Sequence, residues 1–455
     1  MSELLQEAAQ RATEYLEGIG ERGVAPTPEV TARLAQLGGP LPEGPTADVE
    51  VLRLLDEVGS PATVATAGRR FFGLVIGGSL PVTLAANWLA GAWDQNAFVT
   101  TTSPLAAAVE RIALQWLLDV LHLPPECAGA FVTGATMANF TALAAARHAL
   151  LRNAGWDVEA QGLFGAPPIT VVVGEEAHPA LFKALGMLGL GRERVVRVPV
   201  DGQGRMRADR LPALSSPTIV CIQAGNVNSG AFDPATEICA AARAAGARSA
   251  WVHVDGAFGL WAAAAPQRAY LMAGYDGADS WATDAHKWLN VPYDSGLALV
   301  RDHEALWRTM VMSAAYLPEG GVREPGHYTP EMSRRARGVE VWAALRALGR
   351  SGLAELVERC CRHAARFAAG LRQAGYEVLN EVVLNQVLVS FGEPERTRRV
   401  IAAIQADGTC WCGGTVWHGR TAMRISVSSW ATTEEDVERS LAAMVRVAGS
   451  VSGGE

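Results

Sequence analysis

"SAWVHVDGAFG", residues 249–259, decides how the rest of the chain is read. An apolar run carrying Trp251, Val252 and Val254 stops at a carboxylate, Asp255, and passes straight into Gly256 and Ala257. That is the pattern of a buried strand ending in a turn. Working outward, the same pattern recurs on both sides. "GAFVTG" (129–134), "ITVVVG" (169–174), "RVVRVPVD" (194–201), "TIVCIQAG" (218–225) and "SGLALVR" (295–301) are short, apolar and bounded by turn residues. Between them stand helical stretches: "TMANFTALAAARHALLRNAG" (136–155), "HPALFKALGMLGLG" (178–191) and "PATEICAAARAAGA" (234–247). Strands alternating with helices predict an α/β domain whose mostly parallel sheet is covered on both faces.

In sheets of this kind, ligands gather at the carboxyl ends of the strands. Gly134, Ala135 and Thr136 sit at one such end and open a helix. His178 follows the second strand, Asn226 and Asn228 follow the fourth, and Asp255 closes the opening stretch. "TDAHKWLNVPYDSG" (283–296) then sets Lys287 between His286 and Trp288. A surface lysine needs no such ring neighbours. An amine meant as a nucleophile does, because desolvated surroundings favour the free base. Asp255 and Lys287 lie 32 residues apart, room for a helix and a strand, so neighbouring strand ends can hold two parts of one ring.

Each residue type suits one part of pyridoxal phosphate. Backbone N–H groups and the Thr136 hydroxyl at a helix start suit a phosphate, although a Gly/Thr helix start is by itself commonplace. Asp255 suits a protonated pyridine nitrogen, a pairing that keeps the ring an electron sink; the plainer alternative is a capping carboxylate. Gly256 and Ala257 are small enough for a flat ring to lie against them. An imidazole at position 178 suits stacking on that ring, although a lone histidine is more often a loop residue. Lys287 suits the aldehyde, and His286 beside it is within reach of the phosphate. Trp288 reads as packing.

With these residues in place the chain resembles the group II pyridoxal-phosphate-dependent amino acid decarboxylases of the aspartate aminotransferase-like fold, fold type I. "TGATMANFTALAAAR", "EEAHPALFKA", "HVDGAFG", "ADSWATDAHKWLNVPYDSG" and "SRRARGVEVWAALRALG" carry the resemblance, which covers about residues 50–440. It implies a large domain with a mostly parallel seven-stranded sheet, an N-terminal helical arm and a smaller α+β C-terminal domain. It implies Lys287 as the Schiff-base lysine, Asp255 as the ring-nitrogen partner, Ala257 against the ring and His178 stacked on it. Gly134, Ala135, Thr136, Asn226, Asp284 and His286 would complete the cofactor site, and Arg424 in "AMRISVSS" would hold a substrate carboxylate. Its plainer alternative is a strand-edge ion pair. The family's loop acid, a tyrosine, maps onto "YLPEGGVREPGHYTPEMSRR", with Tyr328 the candidate and Tyr316 the alternative. Two departures stand out: Asp284 where asparagine is common, and Met137 where an acidic residue is frequent.

The implied reaction is decarboxylation of an L-amino acid to its amine, aromatic or apolar side chains favoured. Phe71, Phe72, Trp93 and Phe98 hint at an aromatic or apolar substrate side chain, with plain core packing the alternative for most of them. The rivals are other reactions of the same cofactor: aldehyde formation, transamination or elimination. A non-catalytic protein on this scaffold is a further alternative, which the intact lysine, aspartate and histidine argue against.

Composition sets the outer limits. The 455 residues are 49% hydrophobic and 19% charged, which suits a large globular core. A formal net charge of −8 argues against a general nucleic-acid binder or an anionic-membrane binder. Seven cysteines without zinc-site spacing suggest reduced thiols and no metal. "CWC" (410–412) reads as a redox pair or, more plainly, as buried strand residues. The N-terminal "MSELLQEAAQRATEYLEG" is an amphipathic helix without the form of a signal peptide, so a cytoplasmic protein is expected, while the resemblance implies a homodimer with the site at its interface. The domains are placed at 1–95 (N-terminal helical), 96–330 (large, cofactor-binding) and 331–455 (C-terminal).

Overall fold

Seven strands, β1 (Ala128–Val132), β2 (Thr170–Gly174), β3 (Val196–Val198), β4 (Thr218–Gln223), β5 (Ala250–Asp255), β6 (Ser280–Asp284) and β7 (Gly296–Val300), form one sheet in the order β1-β7-β6-β5-β4-β2-β3. The computed structural model describes residues 1–214, 217–246, 249–312 and 323–451. Among the described residues the chain divides into two compact units: residues 79–362 with 380–386, and residues 1–78 with 363–379 and 387–455. The three-part division expected from the sequence therefore differs from these units, since the N-terminal arm clusters with the C-terminal sheet.

The larger unit contains the seven-stranded sheet. β2 to β6 pair in parallel, whereas β7 runs antiparallel to both β6 and β1. β7 turns back because only residues 285–295 separate it from β6, too few for the crossover that a parallel return needs. β1, β4, β6 and β7 are rich in residues closed to solvent along their whole length, as expected where helices cover both faces. The helix Ala135–Asn153 packs on one face with Ala138, Ala142, Leu143, Ala145 and Ala146 inaccessible. Its run of small side chains lets its backbone lie close to the strands. The predicted end at Gly155 is close: the helix stops at Asn153 and Gly155 takes φ 82°. "SP" at 103–104 does start a helix, Pro104–Val120, but Ser103 spends its hydroxyl on the Asn96 carbonyl at 2.6 Å rather than on the cap.

The smaller unit has a four-stranded sheet, β10-β11-β9-β8, from β8 (Glu377–Val378), β9 (Gln386–Ser390), β10 (Gly413–Trp417) and β11 (Arg420–Ser426). "TTEED" caps the last helix, Glu434–Ser450: Thr433 and Asp436 exchange a reciprocal capping box. Phe71 stacks on Trp411 with centroids 4.9 Å apart, and Phe72 meets Phe367 edge-on at 5.0 Å. Gly73 is required here, because a Cβ would fall 2.2 Å from the Trp411 ring. Phe71 and Phe72 are thus core residues of this unit, and the aromatic hint drawn from them lapses. Cys410 and Cys412 are free thiols with no solvent exposure, and burial pushes the Cys412 thiol far up. A thiol held that way is unsuited to redox exchange.

Candidate active site

The strand register puts the sequence candidates along one edge of the large sheet. Gln223 pairs with Asp255, Asp255 with Ala282, and Asp284 and Val132 both with Gly296. The turns after β1, β4, β5 and β6 therefore open at the same edge. Gly296 allows β7 to start there, since a Cβ on it would lie 2.4 Å from the Gly134 backbone.

Lys287 stands on a single helical turn, Ala285–Trp288, directly after β6. That turn is fastened to the start of β7: Ala285 and His286 N–H groups donate to the Ser295 carbonyl, and Ser295 N–H donates to His286 Nδ1 at 3.0 Å. Trp288 is fully buried, so it packs as expected. Lys287 Nζ lies 3.0 Å from Asp284 Oδ2, with the lysine side chain 19% accessible and the aspartate 3%. The other carboxylate oxygen, Asp284 Oδ1, is 3.5 Å from His286 Nε2 and accepts the Ala135 N–H at 2.6 Å. Burial pushes the His286 imidazole below its usual range, against the pull of Asp284. The Tyr293 ring lies 4.3 Å from His286, and burial together with Asp284 pushes its phenol up to about 12.

Asp255 ends β5 with 5% exposure. It accepts a bond from Asn139 Nδ2 at 3.3 Å, and among the described residues no cation pairs with it. A buried carboxylate without a cation is a costly arrangement that a bound cation relieves. The Ala257 carbonyl accepts the Asp284 N–H at 3.0 Å, which ties the β5 turn to the end of β6. The Thr136 hydroxyl, half-buried at the start of its helix, has no hydrogen bond among the described residues. These features fit pyridoxal phosphate: a carboxylate for the ring nitrogen, an amine for the aldehyde, and a hydroxyl at a helix start for the phosphate.

Three of the expected site residues are engaged in contacts of their own. The Ala135 amide, expected to face a phosphate, is given to Asp284. Asn226 builds its own turn: its Oδ1 accepts the N–H groups of Asn228 and Ser229, and its Nδ2 donates to Glu176 Oε2 at 2.9 Å. An Asx turn commits that side chain to the backbone. Tyr328 is 3% exposed, its hydroxyl lies 2.6 Å from His303 Nε2, and Arg323 covers its ring. His303 follows β7, whose last residue Val300 pairs with Ser280 at the start of β6, so Tyr328 lies toward the edge opposite Lys287. Tyr316 falls outside the described residues.

His178 caps the helix Pro179–Met187, its Nδ1 accepting the Ala180 N–H at 3.2 Å, which fixes the plane of the imidazole. Arg424 stands on β11 in the smaller unit, where burial pushes its guanidinium below the usual range. Sequence reasoning passed over Asn139, His253 and Ser280, which adjoin Asp255. The available signal was the two-residue period, which puts Trp251, His253 and Asp255 on one face of β5. It also passed over the "SRRAR" arginines: Arg334 pairs with Glu110, Arg335 with Glu340, and Arg337 with Asp294 at 2.7 Å beside Tyr293. Among the described residues no cluster of His, Cys, Asp or Glu could hold a metal, and no helix is long and apolar enough to cross a membrane.

Comparison with known proteins places the chain in a family. The pyridoxal-dependent decarboxylase conserved domain matches residues 61–392. An aromatic-L-amino-acid decarboxylase of Bacillus atrophaeus is 25% identical over 96% of this chain and 93% of its own length. An L-2,4-diaminobutyrate decarboxylase of Rhizobium meliloti (strain 1021) is 31% identical over 79% of this chain and 74% of its own. A crystal structure of Oryza sativa TDC with PLP and tryptamine superposes with TM-score 0.90 at 23% identity, covering 98% of this chain and 97% of that one. The chain belongs to the pyridoxal-dependent decarboxylases, a family of carboxy-lyases that act on amino acids with pyridoxal phosphate as cofactor.

Proposed function

We propose that this enzyme decarboxylates an L-amino acid with an aromatic or apolar side chain, working as a cytoplasmic homodimer. The observation that carries the chemistry is the pairing of neighbouring strand ends. Asp255 closes β5 as a buried carboxylate without a cation among the described residues, and Lys287 follows β6 within 3.0 Å of Asp284. The bound cofactor supplies an electron sink for the pair left at Cα when CO₂ departs. Lys287 is the amine that would hold the cofactor through its aldehyde. Asp255 faces the ring nitrogen and Ala257 lies against the ring. His178, its plane set by capping, stacks on the ring. Gly134, Thr136 and His286 hold the phosphate, and Ala135 joins them where Asp284 releases its amide.

The side-chain preference draws on relatives described as aromatic-L-amino-acid decarboxylase and tryptophan decarboxylase. Self-association is supported by apolar residues left open in each unit taken separately. In the smaller unit the helix Ser2–Gly18 has no buried residue, and Leu5, Val51 and Leu55 are exposed. In the larger, Trp88, Leu89 and Trp93 are exposed on the helix Pro81–Trp93. Exposed apolar groups at this density mark interaction surfaces. The seven free, buried cysteines suit a reducing compartment.

The test is CO₂ release from carboxyl-labelled L-amino acids by purified protein with added pyridoxal phosphate, followed by identification of the product. Release from tryptophan, tyrosine or phenylalanine with the amine as product is expected. Release confined to diaminobutyrate or an acidic amino acid would overturn the side-chain preference, and an aldehyde product would overturn the proposed outcome. Lys287→Ala should lose both the imine absorbance and the borohydride-fixed cofactor.

A further inference from the structure

Asp255 is the end of a string of buried polar groups. Its Oδ2 accepts from Asn139 Nδ2 at 3.3 Å. Asn139 Oδ1 lies 2.8 Å from His253 Nε2, His253 Nδ1 lies 2.9 Å from Ser280 Oγ, and Trp251 Nε1 donates to the same oxygen at 2.8 Å. Asn139, His253 and Ser280 have no solvent exposure, and Trp251 has 6%. The string follows from the fold: Trp251, His253 and Asp255 alternate onto one face of β5, Ser280 is the cross-strand partner of His253, and the helix Ala135–Asn153 covers that face.

Every proton in the string has one possible place. A carboxylate only accepts, so the Asn139 amide must turn its NH₂ to Asp255 and its oxygen to His253. His253 Nε2 must then carry the hydrogen, which leaves Nδ1 as an acceptor. Ser280 therefore donates its hydroxyl hydrogen to Nδ1, and its oxygen accepts the Trp251 N–H. The carboxylate, which can only accept, sets the direction of the string, and the indole, which can only donate, is compatible with it. Burial holds the His253 imidazole down to about 3, in keeping with a neutral ring.

We propose that Asn139, His253, Ser280 and Trp251 are positioning residues whose oriented hydrogen bonds aim one fixed donor at Asp255 and thereby hold its carboxylate against the ring nitrogen of the cofactor. This rests on the reading of Asp255 as the partner of that nitrogen. Removing His253 does more than leave a gap. The Asn139 amide is then free to turn its oxygen toward Asp255, and the carboxylate loses both its donor and its aim.

The experiment loads full-length protein with pyridoxal phosphate carrying ¹⁵N in the ring and reads the chemical shift of that nitrogen, alongside the cofactor dissociation constant. Asn139→Leu and His253→Phe should each move the signal from the pyridinium toward the pyridine position and weaken cofactor binding roughly tenfold. The double variant should be no worse than the worse single, because both break one string. Ser280→Thr keeps the hydroxyl and should keep the wild-type shift, whereas Ser280→Ala should move it. These serine variants carry the test if the buried Asn139 and His253 variants fail to fold. Folded variants with the wild-type nitrogen shift would overturn the proposal and leave the string as packing alone. If Asp255→Ala also kept the wild-type shift, the assignment of Asp255 itself would fall, and the positioning role with it.

Discussion

Asp284→Asn should tighten cofactor binding and weaken the cofactor-free fold, two effects of opposite sign from one substitution. The side chain keeps its shape and loses its charge. In the wild-type protein that charge sits 3.0 Å from Lys287 Nζ, 3.5 Å from His286 Nε2 and 2.6 Å from the Ala135 nitrogen. The bond to Lys287 is charge-assisted and little screened, since the aspartate is 3% accessible. Losing it should cost about 1.5–3 kcal/mol of stability. The cofactor side runs the other way. A phosphate at this helix start competes with Asp284 for the Ala135 amide and is repelled by its charge. A like charge within about 4–6 Å moves an ionisation by about 1–3 pKa units, or about 1.4–4 kcal/mol. The lower figure alone makes the variant bind pyridoxal phosphate about tenfold more tightly. Equilibrium dialysis of the cofactor measures one effect and thermal melting of cofactor-free protein the other. Binding that is unchanged or weaker in the variant would refute the reasoning and make the carboxylate a net attractor for the cofactor.

Tyr328→Phe should leave CO₂ release and amine yield unchanged, while the lost bond to His303 costs about 0.5–1.5 kcal/mol in urea unfolding; a collapse in turnover or a switch to aldehyde would restore the phenol as the loop acid. Glu110→Ala strands Arg334, whose side chain is 1% accessible against 5% for its partner, and should destabilise by about 3–5 kcal/mol; a loss below about 1 kcal/mol would mean that water reaches the guanidinium. Burial takes His253 from the usual 6.5 to about 3. Between those values the unfolded chain binds a proton that the native one does not, so the contribution is complete above about pH 6.5 and is lost as pH falls toward 3. The stability difference between wild type and His253→Phe should therefore shrink by about 2 kcal/mol from pH 7 to pH 5, and a constant difference would show that His253 takes up its proton in the native state.

How far the sequence could be read depended on whether a feature was local. The strands ending at Gly174, Gln223 and Asp255 were legible because each is an apolar run closed by a turn. β6, "SWATD", was not, because burial on both faces here is met with serine, threonine and aspartate that find partners across the sheet. Lys287 and Asp255 stood out as candidates because their surroundings are written beside them. The place of Tyr328 was not legible because it depends on a contact with His303, 25 residues away. Phe71 and Phe72 were left open between pocket and core for the same reason, since their partners Trp411 and Phe367 lie some 300 residues on. Asn226 looked like a ligand because asparagine serves ligands and turns alike, and only the backbone N–H groups of Asn228 and Ser229 decide between them.

The two aspartates at neighbouring strand ends show why the same residue type can do opposite work along one sheet edge. Among the described residues Asp255 is approached by neutral donors only: Asn139 directly, with His253, Ser280 and Trp251 behind it. Nothing in that string neutralises its charge, so the site retains an attraction for a cation, which the proposed function assigns to a protonated ring nitrogen. Asp284 is surrounded by Lys287, His286 and the positive end of a helix. Its charge is already shared, so it has little left to attract a ligand and much with which to repel an anion. Exchanging the two environments, rather than the two residues, would exchange their roles. The polar residues behind a site carboxylate therefore deserve the same scrutiny as the carboxylate, because they determine whether its charge is available.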